Sequence, residues 1–314
     1  MRYVATLKLP LAVLSGLTVA ACGGGGGGGG GGGWSTLDTF TKFSAIVPDR
    51  PTRIQGSSQE VPYTWDPVTE VVTSYGAPTS FGPTATADVT VDATGEFTSL
   101  DFTSAAGSRM SFSASAGDTL GMLMVGVGAA INAAEDKLAL YARSLELGWD
   151  YQTFGIWMTD DGAGGGVAGT FSLGALTPVS SIPTLGTATY LGSIMGHYVD
   201  PAGTENLAFA DMTATVDFRA RSIGFNTTNT LQTADLVTIS ANDNLNLSGT
   251  LTYAPGVNQF TGPVTTVGGG VGNAPMTGTA TGSFYGPAAE EIGGGFSARG
   301  AGVSGYMGAF GGRK

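Results

Sequence analysis

Near its end, this 314-residue chain alternates small side chains with a period of two. Across residues 278–283, threonine and serine alternate with alanine and glycine. Strand side chains point alternately to the two faces of a sheet, and very small ones suit a wall that curves around a narrow interior. Gly286 and Pro287 then end the strand, because glycine tolerates positive φ and proline presets φ for a turn. The pattern predicts a tight β-barrel.

The composition agrees with a mainly all-β fold. Charged residues make up only 12% of the chain, about half of the usual share. Threonine and serine are abundant, and 53 glycines are present. From residue 186 onward, eight to ten segments have strand character, which is compatible with a closed eight-stranded antiparallel β-barrel.

The region 34–180 reads as shorter and less regular strands. Within it, residues 133–145 have the best helical periodicity of the chain, carried by Leu138, Tyr141 and Leu145. The sequence therefore predicts a β-rich N-terminal domain that contains one short helix. Residues 174–184 have turn and linker composition, and the predicted domain boundary lies at 180/181.

Residues 1–21 have the form of a secretory signal peptide, with a basic start and a short apolar core. The segment that ends at Cys22 resembles a bacterial lipobox, which implies cleavage before Cys22 and its acylation. The alternative is an ordinary signal peptide that a cysteine follows by chance. Gly23, rather than an acidic residue, follows Cys22, and in lipoproteins this implies export to the outer membrane.

Residues 22–33 are the predicted lipidated cysteine and a polyglycine linker, whose eleven glycines span roughly 17–20 Å. Cleavage would remove Arg2 and Lys8 and leave 11 basic against 24 acidic residues, a net charge of −13. So acidic a chain is not expected to bind nucleic acid.

Catalytic chemistry has few residues available. His197 is the only histidine, and Cys22 is the only cysteine. A catalytic triad would need His197, and no Gly-x-Ser-x-Gly motif precedes a helix. A zinc site needs three or four grouped ligands that the sequence lacks. The sequence therefore predicts a binding protein rather than an enzyme, with no metal and no catalytic residues.

Glu290 and Glu291 are adjacent carboxylates. Neighbours on a strand point to opposite faces, so the two cannot form an acid–base pair. The prediction is that one faces solvent while the other accepts hydrogen bonds within a turn or the wall.

The most aromatic stretch spans residues 147–158. Trp149, Tyr151 and Trp157 share one parity, so on a strand they would share one face. One interpretation is an aromatic ligand-binding platform. The other is a strand covered on both faces at the junction of two domains.

The end of the chain also resembles a known family. Seven residues resemble the signature of the transferrin-binding protein B type of β-barrel domain: Phe284, Tyr285, Gly286, Pro287, Glu291, Gly293 and Gly294. The final residues 309–314 are similar to that family's usual ending. The resemblance implies a barrel domain over residues 181–314 and a "handle" domain over residues 34–180.

Relatives with this barrel-plus-handle architecture include surface haem carriers. That resemblance makes His197 and Tyr198 the one conceivable pair of haem ligands, although a lone histidine on a hairpin is more often solvated or hydrogen-bonded.

Two functions follow from these observations. The first is a surface-exposed outer-membrane lipoprotein whose loops bind an external ligand: an iron-carrier protein, haem or another solute. The alternative is a structural or interaction lipoprotein of the envelope without a role in iron uptake. An integral outer-membrane barrel is disfavoured, because threonine, serine and aspartate interrupt the apolar band that its outer face would need.

Overall fold

The computed structural model describes residues 37–79 and 81–314. The predicted signal peptide, Cys22 and the glycine linker lie outside the described residues. Within them, almost all regular structure is β, and the helical residues form five short 3-10 helices: Phe43–Ala45, Ala114–Ala116, Val179–Ser181, Asp243–Leu245 and Val271–Asn273. No helix in the described part of the chain is long and apolar enough to cross a membrane.

The first sheet contains the first eleven strands of the described chain. These are β1 (Asp38–Thr39), β2 (Thr52–Asp66), β3 (Val71–Tyr75), β4 (Gly82–Val91), β5 (Phe97–Thr103), β6 (Arg109–Ser113), β7 (Thr119–Met124), β8 (Val127–Ile131), β9 (Lys137–Ala142), β10 (Gln152–Asp160) and β11 (Gly165–Gly174). Nine of them follow the order β6-β5-β4-β2-β11-β10-β9-β8-β7, with β1 and β3 also paired to β2. All of the pairings are antiparallel except that of β1 with β2.

The remaining nine strands form the second sheet. These are β12 (Thr187–Val199), β13 (Glu205–Asp217), β14 (Ser222–Thr233), β15 (Ser240–Ala241), β16 (Leu247–Tyr253), β17 (Phe260–Gly269), β18 (Pro275–Tyr285), β19 (Glu291–Arg299) and β20 (Gly305–Arg313). Eight of them close into an antiparallel barrel, because β20 pairs with β12 and β13 pairs with β14. The short β15 adds to the edge of β14. The predicted eight-stranded antiparallel barrel is confirmed.

Aromatic side chains fill the barrel. Rings from different strands pack at centroid separations of 4.9 Å between Phe225 and Phe310 and 5.5 Å between Phe260 and Phe284. Because glycines occupy many facing positions, these large rings can occupy the interior. Gly294, for example, lies where a Cβ would be 2.7 Å from the Phe310 ring. Small and large residues therefore alternate across the narrow interior.

The first sheet is buried on both of its faces. On β10, Phe154, Ile156 and Met158 belong to an apolar cluster that includes residues on the outside of the barrel. Trp157, with the opposite parity, belongs to the cluster on the other face of the sheet. The first sheet therefore has its own core on one side and packs against the barrel wall on the other.

The prediction of a short helix within residues 133–145 is wrong. Its central residues form strand β9, which pairs with β8 and β10. Leu138 and Leu140 lie in the cluster against the barrel, whereas Tyr141 lies in the opposite cluster. A strand buried on both faces has no polar side, and its apolar run is easily mistaken for a helix.

The connection between the two sheets lies on the barrel rather than free of it. Leu176 forms an isolated bridge with Tyr285, and the Thr177 N–H donates to the Phe284 carbonyl at 2.9 Å. Asn258 Nδ2 also donates to the Thr177 carbonyl at 2.8 Å. The division of the chain at 180/181 stays a prediction.

Candidate functional site at the junction of sheet and barrel

Three glycines on the outer face of the barrel form the floor of the junction. A Cβ on Gly293 would lie 2.7 Å from Gln152 Oε1 and 2.8 Å from Ser172 Oγ. A Cβ on Gly295 would lie 2.6 Å from the Phe81 ring, and one on Gly311 would lie 2.5 Å from the Phe154 ring. Real Cβ atoms do not approach so closely. The first sheet can therefore contact the barrel wall only because these positions lack side chains.

The family-type motif continues this junction at the end of β18. Phe284 points into the barrel, and Tyr285 points out of it, with its hydroxyl 2.8 Å from Ser172 Oγ. Gly286 adopts a φ of +86° and donates its N–H to the Ala175 carbonyl at 2.8 Å. Pro287 follows in the turn to β19.

Glu291 connects the barrel to the loop that precedes β10. Its buried carboxylate accepts the Asp150 N–H at 2.7 Å and the Tyr151 N–H at 3.1 Å. Burial raises the pKa of Glu291 to about 7, although the N–H groups that donate to its carboxylate have the opposite effect on the pKa. Glu290 instead accepts the Ala288 N–H in the turn. Glu291 is therefore hydrogen-bonded within the wall, as predicted for one of the two adjacent carboxylates, whereas Glu290 is half-buried and hydrogen-bonded in the turn.

Polar side chains are buried at the same junction without protein partners. Both amide atoms of Gln152 and the hydroxyl of Thr170 are fully buried and have no hydrogen-bond partner among the described residues. Burying an unpaired polar atom costs about 1–3 kcal/mol. The close-packed junction therefore encloses polar atoms that no described residue satisfies.

His197 lies farther along the junction and is buried. Its Nδ1 is 3.3 Å from the Tyr75 hydroxyl, and its Nε2 is 3.0 Å from Glu205 Oε1. The guanidinium of Arg299 donates to the Tyr75 and Gly76 carbonyls. Tyr75 belongs to the first sheet, whereas His197, Glu205 and Arg299 belong to the barrel. This cluster of four side chains therefore joins the sheet to the barrel.

Tyr198 faces the opposite side of the barrel wall. Its hydroxyl donates to the Gly269 carbonyl at 2.7 Å, and its ring packs inside the barrel against Tyr306. One haem iron therefore cannot be bound by both His197 and Tyr198 in this arrangement. The imidazole is 1% exposed and hydrogen-bonded at both nitrogens, so the residues present do not fit a haem.

The three predicted platform residues are not on one face. Strand β10 begins only at Gln152, so the parity assumed for Trp149 and Tyr151 does not apply. Trp149 packs against Phe154 on the barrel side, at 5.7 Å between ring centroids, whereas Trp157 is fully buried on the other side. Tyr151 lies beside Gly286. A ligand-binding role for these residues stays a prediction.

Two cavities lie along the first sheet, one beside the junction and one on the far side of the sheet. The larger, of about 360 Å³, is an apolar cleft between β7–β8 and barrel strands β12–β14. The smaller, of about 280 Å³, has a mixed lining that includes Tyr141, Arg143 and Glu96. The sequence patterns predict neither cavity. The one signal in the sequence is the uncharged run over residues 119–131, of which residues 124–127 line the cleft.

No group of three or more histidine, cysteine, aspartate or glutamate side chains in the described part of the chain could hold a metal ion.

One end of the molecule, here called the proximal end, gathers both ends of the described chain. The Phe43 N–H donates to the Asp150 carbonyl at 2.7 Å, and Asp150 in turn donates to Glu291. The Lys314 N–H donates to the Glu290 carbonyl at 3.1 Å.

The opposite end, here called the distal end, collects hairpin turns from both sheets. Barrel turns 200–204, 270–274 and 300–304 lie there, because successive strands run antiparallel. The β2–β3 turn of the first sheet reaches the same end, where the Val72 N–H donates to the Gly203 carbonyl at 2.8 Å.

This geometry agrees with a family-level match. A sequence model that describes the C-lobe and N-lobe beta barrels of Tf-binding protein B matches residues 182–314. Residues 182–314 form a β-barrel domain of the transferrin-binding protein B type. The matched segment covers the whole closed barrel and the motif at residues 284–294.

Solved structures of transferrin- and lactoferrin-binding proteins resemble this chain at low identity. Transferrin-binding protein B from Haemophilus parasuis Hp5 is 12% identical over 84% of this chain and 76% of that one, with a TM-score of 0.45. The protein from serogroup B Neisseria meningitidis is 20% identical over 82% and 43%, with a TM-score of 0.42. The N-lobe of lactoferrin-binding protein B from Moraxella bovis is 13% identical over 82% and 98%, with a TM-score of 0.35. No curated protein sequence matches this chain.

Proposed function

We propose that this protein is an outer-membrane lipoprotein that is anchored through Cys22, exposed at the cell surface, and binds an external iron-carrier protein. The observation that carries the proposal is the distal end, where turns of a transferrin-binding protein B type barrel and of the first sheet lie together. Binding residues are commonly found on loops that a rigid scaffold holds. The function is binding rather than catalysis.

The position of the predicted anchor supports this orientation. The described chain begins next to β1, which pairs with the proximal end of β2 at Thr52. A lipid on Cys22 and the glycine linker would therefore attach at the proximal end. The distal turns would face away from the membrane, where a large soluble protein can reach them.

The distal end, which is the proposed binding surface, is predominantly acidic. Among the described residues, turns and strand ends at the distal end carry eleven acidic side chains, whereas only Lys137 and Arg299 there are basic, and Arg299 is engaged by backbone carbonyls. Opposite potentials speed association and suppress wrong partners. We therefore expect a basic patch on the partner and an association rate that falls with salt. The acidic residues are Asp66, Glu70, Asp118, Glu135, Asp136, Asp160, Asp161, Asp200, Glu205, Asp235 and Asp243.

Protease shaving of intact cells tests the exposure of the domain. Cleavage in intact cells is the expected result, whereas protection until the outer membrane is permeabilised would contradict surface exposure. That second result would favour a structural or interaction lipoprotein of the envelope.

Lipidation is tested with Cys22→Ser. The variant should lose acyl labelling and appear in the soluble fraction, because one cysteine is available for acylation. A Cys22→Ser protein that is still processed and membrane-bound would refute anchoring at this position.

The partner is tested by measuring the binding of the purified residues 34–314 to transferrin, lactoferrin and haem. Binding of an iron-carrier protein that weakens between low and physiological salt is expected. If haem alone binds, the iron-carrier proposal is wrong, and if none of the three binds, a role in iron uptake is not supported.

A further inference from the structure

The β7 edge of the first sheet is unpaired. Strand β7 pairs with β8 on one side, and no described strand pairs with it on the other. Its first residues lie beside the end of β6, where the Asp118 N–H donates to the Ser113 carbonyl at 3.2 Å, so the open part of the edge is the half that ends at Met124. An unpaired edge presents a row of backbone N–H and C=O groups that can add another strand. The end of β7 at Met124 lies at the proximal side, away from the distal turns of the proposed function.

Protection against strand addition is missing at this edge. Proteins usually blunt an exposed edge with charged residues or proline, and residues 119–131 contain neither. The opposite free edge, β6, begins with Arg109, and Ser111 of β6 is bonded to Asp101 on β5. At β7, by contrast, Met122 is 45% exposed and Val125, in the turn that follows, is 81% exposed.

Strands β7 and β8 form a hairpin, and hydrogen bonds to Gly126 hold its tip in place. The Arg143 N–H donates to the Gly126 carbonyl at 2.9 Å, and the Gly126 N–H donates to Glu146 Oε2 at 3.2 Å. A preorganised edge lowers the entropy cost of binding an extended segment.

The apolar cleft of about 360 Å³ begins where this edge ends. Met124 and Val125 form its wall on the hairpin side, and Met195, Phe209 and Leu231 form its wall on the barrel side. Asp211 is the one charged residue that lines it, and it is exposed. Its chemistry therefore suits an aliphatic side chain that is followed by a basic residue.

We propose that β7 and the adjoining cleft form a second binding surface, which takes an extended polypeptide segment by strand addition. The occupant is an uncharged aliphatic strand with a lysine or arginine at its end. Its backbone pairs with β7, one aliphatic side chain enters the cleft, and its basic group faces Asp211.

The probe is a seven-residue peptide in which valine alternates with threonine and a lysine ends the chain. The control peptides have the same side chains but carry N-methyl groups at alternate backbone nitrogens, one peptide for each register. Strand addition predicts that one of these two peptides binds at least about tenfold more weakly, because its methylated nitrogens cannot donate the backbone hydrogen bonds to β7. It also predicts slower amide exchange confined to residues 119–124.

Val125→Lys and Val68→Lys provide the matched protein variants. Both positions are exposed valines in turns of the first sheet, but only Val125 lines the cleft. Val125→Lys should weaken peptide binding at least about tenfold, a change of about 1.4 kcal/mol, and Val68→Lys should leave it unchanged.

The proposal is overturned if the peptide does not bind, or if both N-methylated peptides bind as well as the unmodified one. It is also overturned if amide exchange over residues 119–124 does not change. Equal binding by the methylated peptides would show nonspecific apolar adsorption instead. Because these controls use the wild-type protein, they do not depend on the folding of a variant.

Discussion

Replacing Gly311 with alanine would place a methyl group inside the junction of the sheet and the barrel. The new Cβ would lie 2.5 Å from the Phe154 ring and closer still to Gln152 Nε2. Gly311 does not have a positive φ, so alanine meets no backbone strain there. The effect therefore isolates the contact between the two sheets.

The expected magnitude is the difference between two effects. Overpacking a close-packed site costs about 1–3 kcal/mol. Alanine in place of glycine in a strand recovers roughly 0.5–1 kcal/mol of backbone entropy. The net expectation is a decrease of about 1–2 kcal/mol in the free energy of unfolding.

Gly224→Ala is the matched control, because it is a strand glycine of the same barrel whose Cβ would meet no atom closer than 3.9 Å. We expect it to be neutral or slightly stabilising. Urea unfolding should be followed by tryptophan fluorescence and by circular dichroism together. No tryptophan follows Trp157, so fluorescence reports the first sheet, while circular dichroism reports both sheets.

In the wild type, the two signals should change together if the junction couples the sheets, and in Gly311→Ala the fluorescence transition should move to lower urea. Equal stabilities of Gly311→Ala and Gly224→Ala would refute the close contact that we describe.

Two further predictions concern buried polar groups of the junction. Because burial raises the pKa of Glu291 to about 7, above its ordinary 4.5, the folded state holds a proton that the unfolded state lacks between these values. The free energy of unfolding should therefore fall as pH rises from about 4.5 to 7, by up to about 3 kcal/mol. Glu291→Gln should remove this dependence on pH. Equal free energies of unfolding of the wild type at pH 5 and pH 8 would contradict the prediction. Gln152→Met should raise the free energy of unfolding by about 1 kcal/mol, since it removes two buried polar atoms that lack partners. A loss of stability in urea unfolding would instead mean that an ordered water bonds the amide.

The barrel could be predicted from the sequence to a useful depth. Its period-two pattern is local, and the motif around Phe284 and Glu291 lies within a dozen residues. That pattern could not show which glycines of the wall touch another sheet. Gly293 and Gly294 look alike in sequence, but only Gly293 meets the first sheet, while Gly294 faces the barrel interior.

The first sheet was harder to predict, because its strands are covered on both faces. Residues 137–142 lack the polar alternation that identifies a half-exposed strand, and their spacing imitates a helix. The parity of Trp149 failed for a different reason. A loop precedes Gln152, and counting by two is valid only within a strand.

The way in which the barrel closes also constrains when this protein can fold. Strand β12 pairs with β13, which follows it at once, and with β20, the last strand of the described chain. During synthesis or export from the amino end, β12 and β19 would each keep an open edge until residues 305–313 arrive. Gly311 lies on that same strand, so the part of the barrel wall that contacts the first sheet is also completed last. Folding of both sheets should therefore be a late, concerted event, and a chain interrupted before residue 305 should remain open and prone to aggregation.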